Sequence, residues 1–332
     1  MKLEALAQDA LAVGASGAVV AVRERAETAI GMAGEGIDPS ARFRFGSVGK
    51  TFLAALVLLL VDESRVELDA PLASYLPNAI AGAETISLRN LLQHTSGLRD
   101  FLQEESFFAS ALDRRLEPAE VLELVSGDPL FAAGEGWAYA STNYLLLGLV
   151  VESVLETPLR EALHARVAQP LGLTETELPP LAGAPPRPGR MDADNWLAPG
   201  STDSESVTRS IAYGADGLVS TPADVARFLE VLLGGELLGP ATTAELLRTV
   251  PADGIEFEEF GVGIGTFSSL LGLAPSPCGN AWGHLGLSSG HTAVALSRRD
   301  GSRQAVLAVD RGLLPAEAWP HLGAAAWGAF CG

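Results

Sequence analysis

A stretch without a single polar side chain, residues 52–61 (FLAALVLLLV), constrains the fold of this chain more than any other feature. A run that is apolar on all sides is typical of a helix buried around nearly its whole circumference. Ser47 and Lys50 stand just before it in a Ser-x-x-Lys arrangement. This spacing places both side chains on one face of the helix start, within mutual reach. The pattern therefore predicts a hydroxyl and an amine that lie together at the edge of the core.

Such a pair can perform nucleophilic catalysis. A hydroxyl is a poor nucleophile until a base takes its proton, and a lysine in an apolar site loses its charge readily enough to act as that base. A helix N-terminus adds partial positive charge and free N–H groups where an oxyanion would form. Because three-residue spacings of common residues recur by chance, the function has to rest on further motifs as well.

Length and charge limit the classes of protein to consider. With 332 residues the chain is long enough for a large core, and two subdomains are expected rather than one. The formal net charge of −19 argues against nucleic acid or an anionic membrane as a partner. The longest apolar run is too short to cross a bilayer, so no membrane span is expected. The sequence leaves the oligomeric state open.

The N-terminus and the cysteines bear on the cellular compartment. The first residues (MKLEALAQDA) lack the continuous apolar stretch of a signal peptide. The protein is therefore cytoplasmic as written, or extracellular if Met1 replaces a removed export signal. Two cysteines, Cys278 and Cys331, are too few for a metal cluster. They could be two buried thiols or one bridge between a strand edge and the C-terminal helix, and sequence chemistry leaves both open.

The order of predicted elements indicates an α/β (α+β) protein. Strands are expected near both termini and helices in between, which predicts one antiparallel sheet built from both ends with a mostly helical domain inserted. The sheet-and-helix domain is assigned to 1–60 and 210–332, and the helical domain to 61–209. The predicted strands are 17–22, 27–32, 261–267, 292–297 and 305–310. The predicted helices are 87–93, 118–125, 143–156, 222–233 with Ser220 or Thr221 as its cap, and 315–330. Residues 180–208, rich in Pro, Gly, Ser and Asp, are expected to form a long surface excursion.

Two further motifs complete a constellation. Tyr139 and Ser141 form a Tyr-x-Ser element, and His284 and Gly286 form a His-x-Gly element. A phenol beside a lysine can share or pass a proton. A glycine two residues after a polar side chain lets a substrate backbone lie against a strand edge. With Ser47 and Lys50, the chain carries three separated elements in the order Ser-x-x-Lys, Tyr-x-Ser, His-x-Gly.

These motifs resemble those of the penicillin-recognising serine hydrolases. That family includes class C β-lactamases, D-alanyl-D-alanine carboxypeptidases, D-aminopeptidases, and esterases and transacylases of the same fold. The resemblance covers nearly the whole chain, and residues 86–98 (ISLRNLLQHTSGL) are highly typical of it. The other matching segments are 43–52 (FRFGSVGKTF), 68–72 (LDAPL), 75–77 (YLP), 170–173 (PLGL) and 217–221 (GLVST). A secreted carboxypeptidase subtype, with His-x-Gly in place of Lys-Thr-Gly and a cysteine shortly before it, is the most similar.

The resemblance implies a β-lactamase/D,D-peptidase fold with the active site in the crevice between the two domains, and a role for each motif. Ser47 would be the acylated nucleophile, and Lys50 with Tyr139 the base pair that activates it. The backbone N–H groups of Ser47 and Leu287 would form the oxyanion hole. His284 would help Tyr139 keep its protonation state or contact the substrate.

The remaining implications concern the surroundings of that site. Gly286 and Ser141 would line it, and His94 would fix a loop. A Cys278–Cys331 bridge is expected if the protein is exported. No cofactor and no metal are expected, and the partner would be a small-molecule or peptide-like substrate.

Two departures from the family pattern bear on the substrate. The second motif usually ends in Asn, whose amide pairs with the substrate, but here the position is Ser141, and Asn143 cannot simply be assumed to substitute. Carboxypeptidases bind a free carboxylate with a cation, yet residues 249–297 contain no Lys or Arg. Both facts weaken strict D-Ala-D-Ala cleavage and favour esters, D-amino-acid amides or another acyl donor.

The predicted function is therefore a serine hydrolase that forms an acyl-enzyme on Ser47. Its substrates would be D-amino-acid-containing peptides or amides, or related esters, as in a D,D-carboxypeptidase-like enzyme. The alternatives are an esterase or acyltransferase of the same fold, a β-lactamase, or a penicillin-binding sensor that does not turn over.

Overall fold

The computed structural model describes residues 3–179, 210–215, 217–252, 257–271, 273–288, 290–312 and 314–332. The strands are β1 (Gly17–Glu24), β2 (Glu27–Gly34), β3 (Phe43–Arg44), β4 (Val219–Ser220), β5 (Val250–Pro251), β6 (Glu259–Phe260), β7 (Gly265–Phe267), β8 (Ser269–Leu270), β9 (Ala274–Pro275), β10 (Ala281–Ser288), β11 (His291–Ser297) and β12 (Arg303–Val309). The helices are α1 (Leu3–Ala10), α2 (Gly49–Asp62), α3 (Leu88–Leu92), α4 (Glu105–Asp113), α5 (Pro118–Leu124), α6 (Ser141–Leu155), α7 (Leu159–Leu163), α8 (Pro222–Leu233), α9 (Pro240–Leu246) and α10 (Trp319–Cys331).

One eight-stranded antiparallel sheet organises the fold. Its strand order is β2-β1-β12-β11-β10-β7-β6-β5, so the N-terminal hairpin pairs directly with the last strand of the chain. In that pairing Val20 lies opposite Leu307. The prediction of one sheet built from both ends, flanked by helices and carrying a helical insertion, is confirmed, whereas the domain boundaries at 60 and 210 stay a prediction.

The sheet is buried on both faces because its central strands are apolar at nearly every position. Successive side chains of a strand point to opposite faces. In β1, Val19 belongs to the core that the sheet shares with α2 and α8, and Val20 to the core that it shares with α1 and α10. The continuous apolar runs of β1, β11 and β12 are therefore explained by two cores, one on each side.

Helix α2 lies at the centre of the larger core, as its composition predicts. Its side chains are buried from Gly49 to Leu58, and Phe52 stacks on Phe228 of α8 with ring centres 3.6 Å apart. Because this helix is enclosed by the sheet and by other helices, its N-terminus has a fixed position in the molecule. The positions of Ser47 and Lys50 are therefore fixed as well.

The helix predictions agree with the structure in type and place. Helix α8 has the predicted bounds, and its cap is Thr221, whose Oγ1 accepts a hydrogen bond from the Asp224 backbone N–H. Helix α3 begins after Ser87, whose hydroxyl and the Asn90 side chain cap it reciprocally. Helix α6 begins at Ser141, slightly earlier than expected. The predicted surface excursion at 180–208 lies outside the described residues.

The strand prediction for 261–267 is wrong in its first half. Only Gly265–Phe267 is a strand. Gly263 has a φ of +74°, a left-handed conformation that interrupts an extended chain. Its N–H donates to the Leu92 carbonyl, and its own carbonyl accepts from Thr51 Oγ1. The segment is therefore bound to α2 and α3 instead of continuing β7.

The two cysteines form a disulfide, which settles the alternative that sequence chemistry left open. Cys278 and Cys331 have Cα atoms 5.8 Å apart and are bonded through their sulfurs. The bond joins the loop before β10 to the last residue of α10. Among the described residues, no helix is long and apolar enough to cross a membrane.

We expect the disulfide to stabilise the fold measurably. The cysteines are 53 residues apart in sequence. Closing a loop of that length restricts the unfolded chain and is worth about 4 kcal/mol in the chain-entropy model. Reduction should raise the intact mass by about 2 Da and lower the free energy of unfolding measured with urea by roughly this amount. In the Cys278→Ser/Cys331→Ser double variant the reductant should have no effect, and an equal effect on both proteins would contradict the prediction.

Candidate active site

The Ser-x-x-Lys pair comes together at the start of α2. Ser47 lies in a single 3₁₀ turn, Gly46–Val48, that runs directly into α2, and Lys50 lies in the first turn of the helix. The Lys50 side chain is fully buried, and its Nζ donates a hydrogen bond to Ser47 Oγ at 2.9 Å. The amine is thus in hydrogen-bond reach of the hydroxyl proton that has to be removed.

Two glycines bring the serine turn against β10. Gly46 has a φ of +47°, and a Cβ there would lie 2.4 Å from the Leu287 carbonyl oxygen. A Cβ on Gly286 would lie 2.0 Å from the Phe45 carbonyl oxygen. The turn and the strand therefore touch backbone to backbone. Gly286 makes room for the protein's own serine turn, which differs from the expectation that it makes room for substrate.

The part of β10 beside this contact has an open edge. Strand β7 pairs with β10 only over Ala281–Gly283, whereas β11 pairs with it from Trp282 to Ser288. In the described part of the chain, residues 284–288 are thus paired by a strand on one side only. Leu287 lies on this segment, next to the serine turn. The structure brings together the two segments whose N–H groups the sequence assigned to an oxyanion hole.

Tyr139 lies close to the lysine. It precedes α6 in a loop, and its ring is half-buried. Lys50 Nζ lies 5.3 Å from the centre of the Tyr139 ring and 5.8 Å from the centre of the Tyr144 ring. Tyr144 is fully buried and donates its hydroxyl to the Leu92 carbonyl, and burial raises the pKa of this phenol well above its usual value. The Tyr144 hydroxyl is therefore engaged in the scaffold, and Tyr139 stays the predicted partner of Lys50.

His284 is a buried neutral ring. Its side chain is 2% exposed, and Nδ1 donates to the Leu285 carbonyl at 2.6 Å. Burial and the nearby charge of Lys50 lower the pKa of His284 to about 3. The ring centre lies 6.1 Å from that of Tyr139 and 5.1 Å from that of Phe257. The contact between the two rings fits the influence on Tyr139 that was expected of His284.

The first residues of α6 differ in their hydrogen bonds: Thr142 and Asn143 bind the scaffold, whereas Ser141 does not. Asn143 Oδ1 accepts a hydrogen bond from Ser96 Oγ at 2.6 Å, and its Nδ2 lies 3.0 Å from His94 Nδ1. Thr142 Oγ1 donates to the Arg99 carbonyl. Asn143 therefore does not replace the missing amide of the second motif. Ser141 Oγ is buried and has no hydrogen-bond partner among the described residues.

Sequence reasoning missed an aromatic wall around the site. Phe257 is nearly parallel to Tyr139 at 6.3 Å, and Phe260 meets Tyr139 edge-on at 6.5 Å. Trp137 lies 6.2 Å from Phe260. The only sequence signal was the pair of phenylalanines in EFEEF, which is no stronger than an ordinary core pattern. Phe257 and Phe260 also lie beside the buried His284 ring, with ring centres 5.1 and 6.0 Å from it.

The family follows from a match along nearly the whole chain. The family model described as Beta-lactamase matches residues 3–321. The chain belongs to the Beta-lactamase family. The helical insertion on an antiparallel sheet is the β-lactamase/transpeptidase-like fold.

Individual relatives have several activities. The chain is 32% identical to Esterase EstB of Burkholderia gladioli over 72% of this chain and 69% of the esterase. It is 26% identical to a putative D-alanyl-D-alanine carboxypeptidase of Escherichia coli K12, over 71% of this chain and 61% of that protein. A solved D-stereospecific amidohydrolase from a Streptomyces species is similar with a TM-score of 0.84 and 28% identity, covering 98% of both chains.

Replacing Gly286 by alanine should impair catalysis more than folding. The new Cβ would meet the Phe45 carbonyl and push the serine turn away from β10. Misplacing reacting groups by about 1 Å costs on the order of 10²-fold in rate. We expect a loss of kcat of that size, measured by ester hydrolysis, with a cooperative thermal transition retained. Gly328→Ala on α10, where the methyl meets only the Leu6 side chain, should keep wild-type kcat.

The neutral His284 should make the fold sensitive to acid. Its pKa is about 3 in the folded protein, below its ordinary 6.5, so between these values the unfolded state takes up a proton that the folded state does not. Stability from this site is complete above pH 6.5 and falls by up to about 1.4 kcal/mol per pH unit below it. Urea titrations from pH 7 to 4 should show a shallower fall for His284→Gln and His284→Leu alike. Slopes identical to wild type would contradict the prediction.

Proposed function

We propose that this protein is a serine hydrolase that cleaves neutral amides and esters, D-amino-acid amides among them, through an acyl-enzyme on Ser47. The hydrogen bond from the buried Lys50 amine to Ser47 Oγ, 2.9 Å long, carries the proposal. A lysine without exposed surface, in contact with a hydroxyl at a helix start, is the arrangement that activates a serine without histidine.

The reaction follows from the positions of these groups. Ser47 Oγ attacks the substrate carbonyl, and its proton passes to the Lys50–Tyr139 pair. The carbonyl oxygen becomes an oxyanion beside the N–H groups of Ser47 and Leu287. When the carbonyl bond to the leaving group breaks, the leaving amine or alcohol takes the proton and the acyl group stays on Ser47. Water then gives a proton to the same pair, attacks the acyl-enzyme, and Ser47 leaves with its proton restored.

Lys50 and Tyr139 take and return this proton as a pair. The amine lies 5.3 Å from the centre of the phenol ring, and the two groups can share one proton.

The lack of a positive charge on β10 favours substrates with a neutral leaving group. A carboxypeptidase has to neutralise the free carboxylate of its substrate, because an unpaired buried charge is costly. His284 is the only side chain of β10 that could become a cation, and burial keeps it neutral. Residues 249–297 contain no Lys or Arg. An ester or a primary amide carries no such charge. The similarity to an esterase and to a D-stereospecific amidohydrolase supports the same choice.

A matched pair of substrates tests the proposal. N-acetyl-D-Ala-D-alaninamide and N-acetyl-D-Ala-D-Ala contain the same D-Ala–D-Ala peptide bond and differ in the terminal group, which is a neutral primary amide in the first and a carboxylate in the second. We expect a higher kcat/KM for the amide by about tenfold or more, since the charged form loses the free energy of an unpaired ion. Ser47→Ala should abolish both reactions while keeping the thermal transition.

A substitution at His284 gives a second test of the preference for neutral leaving groups. His284→Lys places an amine at the edge of β10 and should shift the preference towards the free carboxylate. Equal rates for both substrates in the wild type would contradict the preference for neutral leaving groups. Hydrolysis retained by Ser47→Ala would contradict the acyl-enzyme itself.

A further inference from the structure

His94 holds the chain on both sides of Tyr139. Its backbone carbonyl accepts a hydrogen bond from the Ala138 N–H at 3.0 Å. Its ring Nδ1 accepts one from the Ala140 N–H at 3.1 Å. The residues before and after the phenol are therefore bound to a single fully buried side chain and its backbone.

The ring of His94 also supports the phenol ring. The two rings are stacked, with centres 4.2 Å apart and an angle of 26° between their planes. Stacked rings resist tilting, because dispersion and ring electrostatics favour a narrow range of separations. Two hydrogen bonds thus locate the backbone of Tyr139, and the stacked ring limits how its side chain can tilt.

The hydrogen bonds fix which nitrogen of His94 carries the proton. A backbone N–H only donates, so Nδ1 has to offer its lone pair to Ala140. Burial, and after it the charge of Lys50, lower the pKa of His94 well below its ordinary value, so the ring is neutral. The proton therefore sits on Nε2, which has no hydrogen-bond partner in the part of the chain described. A neutral ring in one tautomer is a permanent acceptor for the loop that carries Tyr139.

The backbone of His94 restricts what could replace it. Its φ of +60° is left-handed, a conformation that costs most side chains free energy but is tolerated by glycine and asparagine. Asparagine also places its Oδ1 where His94 has Nδ1. Glycine keeps the backbone and removes both the acceptor and the ring. These two residues separate the contributions without adding backbone strain.

We propose that His94 is a positioning residue for Tyr139, which it holds at the distance from Lys50 and Ser47 that proton transfer requires. The inference rests on the proposed function, because it assigns Tyr139 to the base pair. His94 would act only through Tyr139. Its loss should slow acylation of Ser47 and leave the number of competent sites unchanged.

A fluorophosphonate probe can separate these two effects. The probe phosphonylates an activated serine irreversibly with loss of fluoride, so the plateau of labelling counts competent sites and the rate constant reports activation at each of them. Intact mass and peptide mapping would locate the adduct on Ser47. The variants are His94→Asn and His94→Gly. Gln93→Met is the control: it removes a neighbouring buried side chain that donates to the Arg248 carbonyl.

For His94→Gly we expect full labelling with a rate constant lower by about 10²-fold, the size of a misplaced acid–base group. For His94→Asn, which keeps the acceptor but not the ring, we expect a loss of about tenfold. Gln93→Met should lower the melting temperature and leave the rate constant at each site unchanged.

Three results would contradict these expectations, each in a different way. A lower plateau with a wild-type rate constant in His94→Gly would show that His94 serves stability alone. If His94→Gly does not fold, a wild-type rate constant in His94→Asn would overturn the contribution of the ring. Wild-type protein that is never labelled on Ser47 would instead overturn the proposed function, and the role of His94 with it.

Discussion

The burial of Lys50 is the constraint on which the rest of the site depends. An amine without solvent contact has to be accommodated by its neighbours, and its Nζ donates to Ser47 Oγ beside the ring of Tyr139. Burial, and after it the charge of Lys50, lower the pKa of His94 and of His284, so both rings are neutral. Helix α2 can carry the buried amine because the rest of that helix is apolar.

The sheet provides the rigid partner that this helix needs. Strand β10 lies between its neighbours in an eight-stranded sheet, and its contact with the serine turn depends on Gly46 and Gly286. The Cys278–Cys331 disulfide joins the chain just before that strand to the C-terminal helix. The geometry of the candidate site thus rests on main-chain contacts, which are stiffer than contacts between long side chains.

Within the family, substrate choice would follow from the charge at the edge of β10. A neutral, buried His284 and a short Ser141 hydroxyl offer little to a charged, peptide-like ligand. Proteins named as an esterase, a putative D-alanyl-D-alanine carboxypeptidase and a D-stereospecific amidohydrolase are similar to this chain over 71% or more of its length. The few side chains that meet the leaving group can therefore decide the activity without any change in the helix that carries Ser47.

The sequence alone determined most of the predicted elements and the motifs, because they depend on neighbours along the chain. The buried helix, a cap at Ser220 or Thr221 and the reach between Ser47 and Lys50 follow from periodicity and local hydrogen bonding. Tertiary structure decided what depends on contacts distant in sequence: Gly286 meets the serine turn, and Asn143 is bound to the loop of His94. No local pattern predicts those contacts, because they form only when the two ends of the chain have come together in one sheet beside α2.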